Sequence, residues 1–436
     1  MKSWTSLIKK TRQCFAGLTN PRKGKNTSYS MEDFATSALS VFFTQSPSFL
    51  AYQKTMQQNK GRSNAQTLFE MEQIPCENQT RETLDHVAPE EIFPLYDEVL
   101  EAFKEQAVLD QYRAVHGTIA IALDGTWYHS SEKIHCAHCS CIEHSNGKKT
   151  FYHSAITPVI VAPGKPHAIP LRPEFIVPQD GHDKQDCETA AGKRWIDKNS
   201  VRYSALKVTL LGDDIYAHQP MCRRALLNNF HFLFVCKPDS HTGLYQWVNQ
   251  LQPDSGLHVL TQRVKNGAHF ETYTYRFANG APLTAEEGAL KVNWCELTVT
   301  NKKGEVLYRN AFITDFEINP DNVASIVATA RARWKIENEN NNVLKNRGYH
   351  LEHNFGHGKK HLSSLLAAMN ILAFLYHTFL HFCDEKYRLI RAALPTRQTF
   401  FDDLRALTRY MLFVDWDALL DFMMRGLEIG PYAPKT

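Results

Sequence analysis

The sequence predicts an α/β fold: a mixed sheet with flanking helices, a β-rich insertion, and helical N- and C-terminal regions. Three observations predict it. Apolar runs of strand length at 118–123, 207–212 and 231–236 alternate with helix-length segments. Residues 238–316 then turn to Thr-, Tyr- and Val-rich runs parted by Gly256, Gly267, Gly280 and Gly304. Both ends of the chain carry apolar residues at helical spacing. The implied regions are 1–112, 113–237, 238–316, 317–382 and 383–436.

The chain has 436 residues, enough for a large core, and 22% charged residues, ordinary for a soluble protein. The net charge of +3 carries no argument for a nucleic-acid partner. Its distribution does, because the first 31 residues hold seven Lys or Arg, among them Arg22, Lys23 and Lys25, and no acid. Such a leader suits phosphate backbones, and equally a solvated tail. Residues 1–17 lack the apolar stretch of a signal peptide, and ten cysteines without one imply reduced thiols and a cytoplasmic protein. The run 362–382 has no Asp, Glu, Lys or Arg, but Asn370, His377 and His381 inside it favour a buried core helix and no membrane.

In chain order, residues 34–43 and 90–108 read as N-terminal helices, with Pro47 ending the first segment and a loop over 57–66. A small helical module behind a basic leader fits DNA binding. The strand at 118–123 ends in Asp124-Gly125, an acid at the exit of an apolar strand, where α/β folds bind ligands. A turn-forming Asp-Gly explains it as well. In the segment 135–144, Cys136 and Cys139 have the spacing of a Zn²⁺ pair, completed by Cys141 and His144 or from afar; a reduced hairpin tip is the plainer reading. Strands at 150–161 and 167–171 would complete a meander, and a helix runs from Asp180 to about Asn199. The acids of that helix, Glu188 included, are accounted for by its dipole.

The strand at 207–212 ends in Asp213-Asp214, a second acid pair that neighbours Asp124 if the two strands are adjacent. A helix at 221–228 and a strand at 231–236 follow. After the insertion, Asn319-Pro320-Asp321 opens one long helix through Glu337 toward Leu344. His350, His353, His357 and His361 then fall in a basic loop, read as solvated or phosphate-facing ahead of a metal site. Helices at 398–410 and 416–425 close the chain.

Three acids stand out: Asp124 and Asp213 at strand ends, Glu337 on a late helix. Three carboxylates sharing two divalent cations suit in-line phosphodiester chemistry, and all-oxygen ligation suits Mg²⁺ or Mn²⁺. At these residues the chain resembles the DDE transposases of bacterial insertion sequences. The resemblance rests on Leu123-Asp124-Gly125-Thr126, Pro173-Glu174-Phe175-Ile176 before Gln179-Asp180-Gly181, and Gly212-Asp213-Asp214-Ile215-Tyr216. It continues through Arg333-Trp334-Lys335-Ile336-Glu337 and Gly348-Tyr349-His350-Leu351-Glu352-His353.

The resemblance implies a ribonuclease-H-like core, with Asp124, Asp213 and Glu337 as a triad holding two Mg²⁺ or Mn²⁺ ions. It implies that Asp213, three before Tyr216, is the second acid and not Asp214. Arg333, four before the Glu, matches the Arg of the branch's Tyr-Arg-Glu-Lys signature and would hold a terminal phosphate. The Tyr position is Ala330, and the Lys position, seven after the Glu, is Leu344, with Lys345 one further. A Trp of the insertion, Trp294 or Trp247, would stack a displaced base, against the plainer reading of a core Trp. The implied partner is double-stranded DNA, element ends and target, bound by a synaptic homodimer in a bacterial nucleoid. The alternatives are a metal-dependent nuclease without strand transfer and an inactive, transposase-derived DNA-binding protein.

Overall fold

The computed structural model describes residues 4–24, 28–57, 63–178, 187–252, 256–267 and 269–433. Six helices open the chain: α1 (Trp4–Ala16), α2 (Met31–Phe43), α3 (Phe49–Met56), α4 (Asn64–Phe69), α5 (Glu77–Leu84) and α6 (Phe93–Glu105). The loop expected over 57–66 gives way to α4 at Asn64, capped by Ser63. The leader is not a free arm over its described part. In α1, Trp4, Leu7, Ile8 and Phe15 are buried, Lys10 pairs with Glu98, and Arg12 lies 3.3 Å from Asp33. Four apolar residues on one face make burial of this helix worth more than a solvated tail.

The strands follow: β1 (Ile119–Ala122), β2 (Gly125–Ser131), β3 (Ser140–Glu143), β4 (Lys149–Ile156), β5 (Val159–Val161), β6 (Ile169–Pro170) and β7 (Glu174–Ile176). Helix α7 (Glu188–Tyr203) leads to β8 (Val208–Gly212), α8 (Gln219–Leu227), β9 (His231–Val235) and α9 (Thr242–Gln250). The β-rich segment supplies β10 (His258–Asn266), β11 (His269–Pro282), β12 (Lys291–Thr300) and β13 (Val306–Thr314). One mixed sheet holds nine strands in the order β10-β11-β12-β13-β9-β8-β1-β5-β6. The β-rich segment is thus an extension of the central sheet, joined where β13 pairs antiparallel with β9.

The strand expected over 150–161 is two strands in two sheets. β4 joins β2, β3 and β7 in a four-stranded sheet, whereas β5 pairs with β1. Pro158 lies at the break, where a residue without an N–H cannot continue a ladder. The meander is β1-β5-β6, with β2, β3 and β4 inserted inside it. The helix expected from 180 begins at Glu188, and residues 179–186 lie outside the described residues.

Side chains of β1 alternate between two cores, as strand geometry demands. Ile119, Ile121 and Leu123 face the core shared with the helical regions, and Ala120 and Ala122 face the core covered by α10 (Val323–Arg331). The long helix expected from 319 to 344 is broken. After α10 come a 3₁₀ turn at Ala332–Trp334, a π turn at Ile336–Asn341 and α11 (Asn342–Asn346).

Helix α12 (Leu362–Cys383) is the axis of the helical body, and its most apolar stretch is 89% buried inside the protein. It is a core helix, as expected. Two of its polar side chains bond to backbone carbonyls: Asn370 donates to Tyr349 O at 2.8 Å and Thr378 to Phe374 O at 3.0 Å. Helices α2, α5, α6 and α13 (Glu385–Ala393) pack against it, while α14 (Arg397–Tyr410) packs on α3, and Trp416 of α15 (Trp416–Gly426) lies against Trp4, Phe43 and Phe69. Regions some 300 residues apart in sequence therefore form one body.

The start of α12 is capped from outside. Asp85, after α5, accepts hydrogen bonds from the backbone N–H of Lys359, Lys360 and Leu362 at 3.0–3.1 Å. Gly358, at φ +68°, is required beneath it, because a Cβ there would collide with the Asp85 carboxylate. Burial would raise the Asp85 carboxyl, but these donors hold it below its ordinary value of 3.8. Asp85→Ala is expected to cost about 1–2 kcal/mol, read from the urea midpoint at pH 7. Since the folded pKa is depressed, this stability is present above pH 3.8 and lost as pH falls through the folded value.

Candidate active site

Asp124 and Asp213 leave neighbouring parallel strands at the same level. β1 and β8 pair in register, Ala122 opposite Leu211, and each acid stands two residues beyond its member of that pair. The ladder continues past the strand ends, since Leu123 donates to Leu211 O at 2.8 Å. Asp124 is kept on course by Thr157, whose N–H donates to Asp124 O at 3.1 Å. Asp213 accepts from the N–H of Asp214 at 2.8 Å, opening a tight turn. Asp214 points elsewhere: it is buried, and accepts from the backbone N–H of Lys237 at 2.6 Å.

Glu337 enters from the π turn, exposed. The same turn carries Asn341, which is fully buried and donates to Asp124 Oδ2 at 3.4 Å. Its Oδ1 accepts from Thr157 Oγ1 at 2.8 Å and from Asn340 at 2.9 Å. Asn341 thus ties the Glu337 turn to the β1 exit. π turns break the regular helical ladder and concentrate at functional sites. Asn341→Ala is expected to cost about 1–2 kcal/mol, because Thr157 and Asp124 each lose a buried partner; thermal melts check it.

Electrostatics gather on Asp124. Its carboxyl is pushed from 3.8 up to about 7, by burial first, then by Glu188, Glu337 and Asp213; Arg333 alone among the named charges opposes the rise. Glu188 is an acid whose role the sequence reasoning missed. It stands at the start of α7, accepts from Tyr216 Oη at 2.9 Å and lies against Gly125, where any Cβ would strike it. Burial raises the Glu188 carboxyl against the pull of the Tyr216 hydrogen bond. The dipole account of Glu188 is therefore incomplete. The available signal was its position after a run of prolines that returns the chain to the sheet edge.

Arg333 is half-buried within reach of this charge. Glu339, two residues beyond Glu337, lies beside Lys335. Leu344 is fully buried, and Lys345 pairs with Glu352 at 2.9 Å. A π turn takes one residue more than an α turn, which sets Lys345 back toward the place of a seventh residue after Glu337 in an unbroken helix. In the leader, Arg22 donates to Tyr29 O at 2.7 Å and lies over Phe34, Lys23 is exposed, and Lys25 lies outside the described residues. Trp294 is buried between Tyr245 and Arg276, and Trp247 is half-buried against the core. The exposed tryptophans near the acids in sequence are Trp127, 40% exposed, and Trp334, 49% exposed.

The carboxylates act on one another but do not close to ligand spacing. Among the described residues, the set of metal-ligating side chains that does is Cys136, Cys139, His153 and His357, whose ligand atoms all lie within 4.8 Å of one another. Cys136 and Cys139 were expected as a pair, but their companions are not Cys141 and His144. Cys141 is exposed on β3, and His144 bonds to Thr150 Oγ1 at 2.8 Å. Of the four histidines expected to be solvated, His357 is half-buried in this cluster. Sequence spacing could not find it, because 218 residues separate it from Cys139. The chain matches no protein-family model, and no curated protein matches its sequence.

Proposed function

We propose that the chain is a DDE transposase with a ribonuclease-H-like core, which binds the ends of a mobile element, cleaves phosphodiester bonds and transfers 3′-hydroxyl ends to target DNA. The observation that carries the reading is the pairing of Asp124 and Asp213 at adjacent parallel strand ends, with the Glu337 charge acting on Asp124. The order β6-β5-β1-β8-β9 supports the ribonuclease-H-like assignment: β5 is antiparallel to both β1 and β6, and β8 is parallel to both β1 and β9.

By charge the acids would suit a divalent cation, although their carboxylates do not stand at ligand spacing of one another. Asp124 sits in an excess of negative charge, half-buried, that one arginine does not neutralise. Asp124, Asp213 and Glu337 would hold Mg²⁺ or Mn²⁺, with Glu188 beside them. Two bound ions supply an activated water or 3′-hydroxyl and a stabilised leaving oxygen. Asn341 holds the Asp124 carboxylate in place. Arg333 places a guanidinium where a terminal phosphate approaches the acids. Lys345, paired with Glu352 on α11 beyond the π turn, adds a cation, and the exposed faces of Trp127 and Trp334 suit stacking on unpaired bases. Two element ends call for two copies of the chain.

The test is incubation of the full chain with Mg²⁺ and labelled DNA carrying its own element ends, beside Asp124→Asn. End-specific nicking and joining, lost in the variant, is the expected result. Cutting of generic DNA without end preference would make the chain a nuclease. Binding without cleavage by either protein would make it a transposase-derived DNA-binding protein.

A further inference from the structure

We propose that Cys136, Cys139, His153 and His357 bind one structural Zn²⁺ that staples the sheet beside the acids to the loop before α12. The geometry carries this. Sulfur and nitrogen ligands of tetrahedral zinc lie at about 2.3 and 2.0–2.1 Å, which sets edges of about 3.8 Å between sulfurs, about 3.5 Å between sulfur and nitrogen, and about 3.3 Å between nitrogens. The two sulfurs are 3.9 Å apart. His153 Nε2 lies 3.6 Å from Cys136 Sγ and 3.4 Å from Cys139 Sγ. His357 Nε2 lies 3.4 Å from Cys139 Sγ and 3.2 Å from His153 Nε2. Five of the six edges match those of a zinc tetrahedron, and the sixth, from Cys136 to His357, lies within 4.8 Å.

Hydrogen bonding among the four does not explain them. His357 Nδ1 is 3.0 Å from Gly358 O, and a carbonyl can only accept, so Nδ1 carries a proton and the neutral ring offers its Nε2 lone pair. With that ring neutral, the two thiols and one N–H on His153 Nε2 supply at most three protons for five close contacts. A cation at the centre satisfies all of them at once. The carbonyl that fixes the His357 tautomer is the outer-shell partner metal-bound histidines ordinarily have. Cys139 Sγ also accepts from the N–H of Cys136 at 3.4 Å, a contact that favours the thiolate. Two thiolates neutralise Zn²⁺, and four protein ligands leave no open position, so the site is structural and not catalytic.

Its location gives it a purpose. The two cysteines lie between β2 and β3, and β2 begins one residue after Asp124. His153 comes from β4, and His357 from the loop between α11 and α12. The ion would close a cross-link over 204 residues from His153 to His357. The inference does not depend on the transposase reading.

The full chain, purified without a metal-affinity tag under reducing conditions, is expected to contain about one zinc per chain by elemental mass spectrometry. His357→Ala and Cys139→Ser are expected to lose it, and His361→Ala to keep it. Loss of the ion is expected to lower the melting temperature by about 5 °C or more. Should both ligand variants fail to fold, Co²⁺ exchanged into the unaltered chain decides the matter, through the visible bands of a tetrahedral thiolate site. The proposal is overturned if the chain neither contains nor takes up zinc, if the ligand variants retain it, or if Co²⁺ gives an octahedral spectrum. A Cys136–Cys139 disulfide in metal-free protein, found as a loss of two hydrogens by mass spectrometry, would overturn it in favour of a redox pair.

Discussion

Asp124→Asn is expected to abolish Mg²⁺-dependent strand cleavage, by a factor of about a thousand or more, while making the protein more stable. The loss would follow from removing a ligand of the proposed metal site, where metal stabilisation of the transition state is worth several kcal/mol. The gain follows from linkage. Asp124 is raised from 3.8 to about 7, so between those values the folded chain holds a proton that the unfolded chain releases. Stability therefore falls as pH rises through that window, and the penalty is complete above it. An amide cannot ionise and escapes the penalty. In Mg²⁺-free buffer at pH 8 the variant should be more stable by about 1–3 kcal/mol, a value reduced for partial exposure of the site. At pH 5 the difference should shrink, and added Mg²⁺ should stabilise only the unaltered chain. Urea midpoints under these three conditions, beside cleavage rates, check the account. A variant that is inactive and equally destabilised at every pH would show instead that Asp124 serves the fold.

Acid is expected to unfold the protein steeply below pH 6.5, with His377 a principal cause. His377 is fully buried in α12, and its Nδ1 lies 2.5 Å from Tyr349 Oη, in hydrogen-bond contact. Burial, then Arg397 and Arg391, hold its pKa well below the ordinary 6.5. His167, lowered to about 4 chiefly by burial, and His381, also lowered, line the same cavity with Arg388, Arg391 and Arg397. As pH falls through 6.5 the unfolded chain gains protons that these rings refuse. Stability is thus complete above 6.5 and falls by about 1.4 kcal/mol per pH unit for each fully buried histidine. His377→Gln should cost about 1 kcal/mol at pH 7.5 through the lost hydrogen bond, yet flatten the decline between pH 6.5 and 5. Equal slopes for variant and unaltered chain, read from urea midpoints, would assign the acid sensitivity to other groups.

Local chemistry made much of this chain legible. Apolar runs placed β1, β8 and β9 within a residue or two, and the four β-rich runs appear as β10–β13. A charge-free apolar stretch with scattered polar residues marked α12 as a core helix, because those residues cost too much in lipid and little beside backbone carbonyls. Strand-end placement singled out Asp124 and Asp213, since both depend on short-range patterns. What escaped depends on distance in sequence. Glu188 has an adequate local account as a helix-dipole residue, and only the packing of Gly125 against it exposes a second role. Asn341 sits in a polar run that reads as surface until the π turn buries it.

The sequence by itself located most of the elements, singled out acids at two strand ends and marked the Cys136–Cys139 pair, because periodicity, strand ends and short spacings are local properties of a chain. Only the tertiary structure decided that β8 lies beside β1, that the leader and the C-terminal helices share one core, and that His153 and His357 complete the cysteine pair. Each of those facts brings together segments tens to hundreds of residues apart. Such contacts are selected by the burial of whole faces against one another, a property of the assembled core and not of any window of sequence.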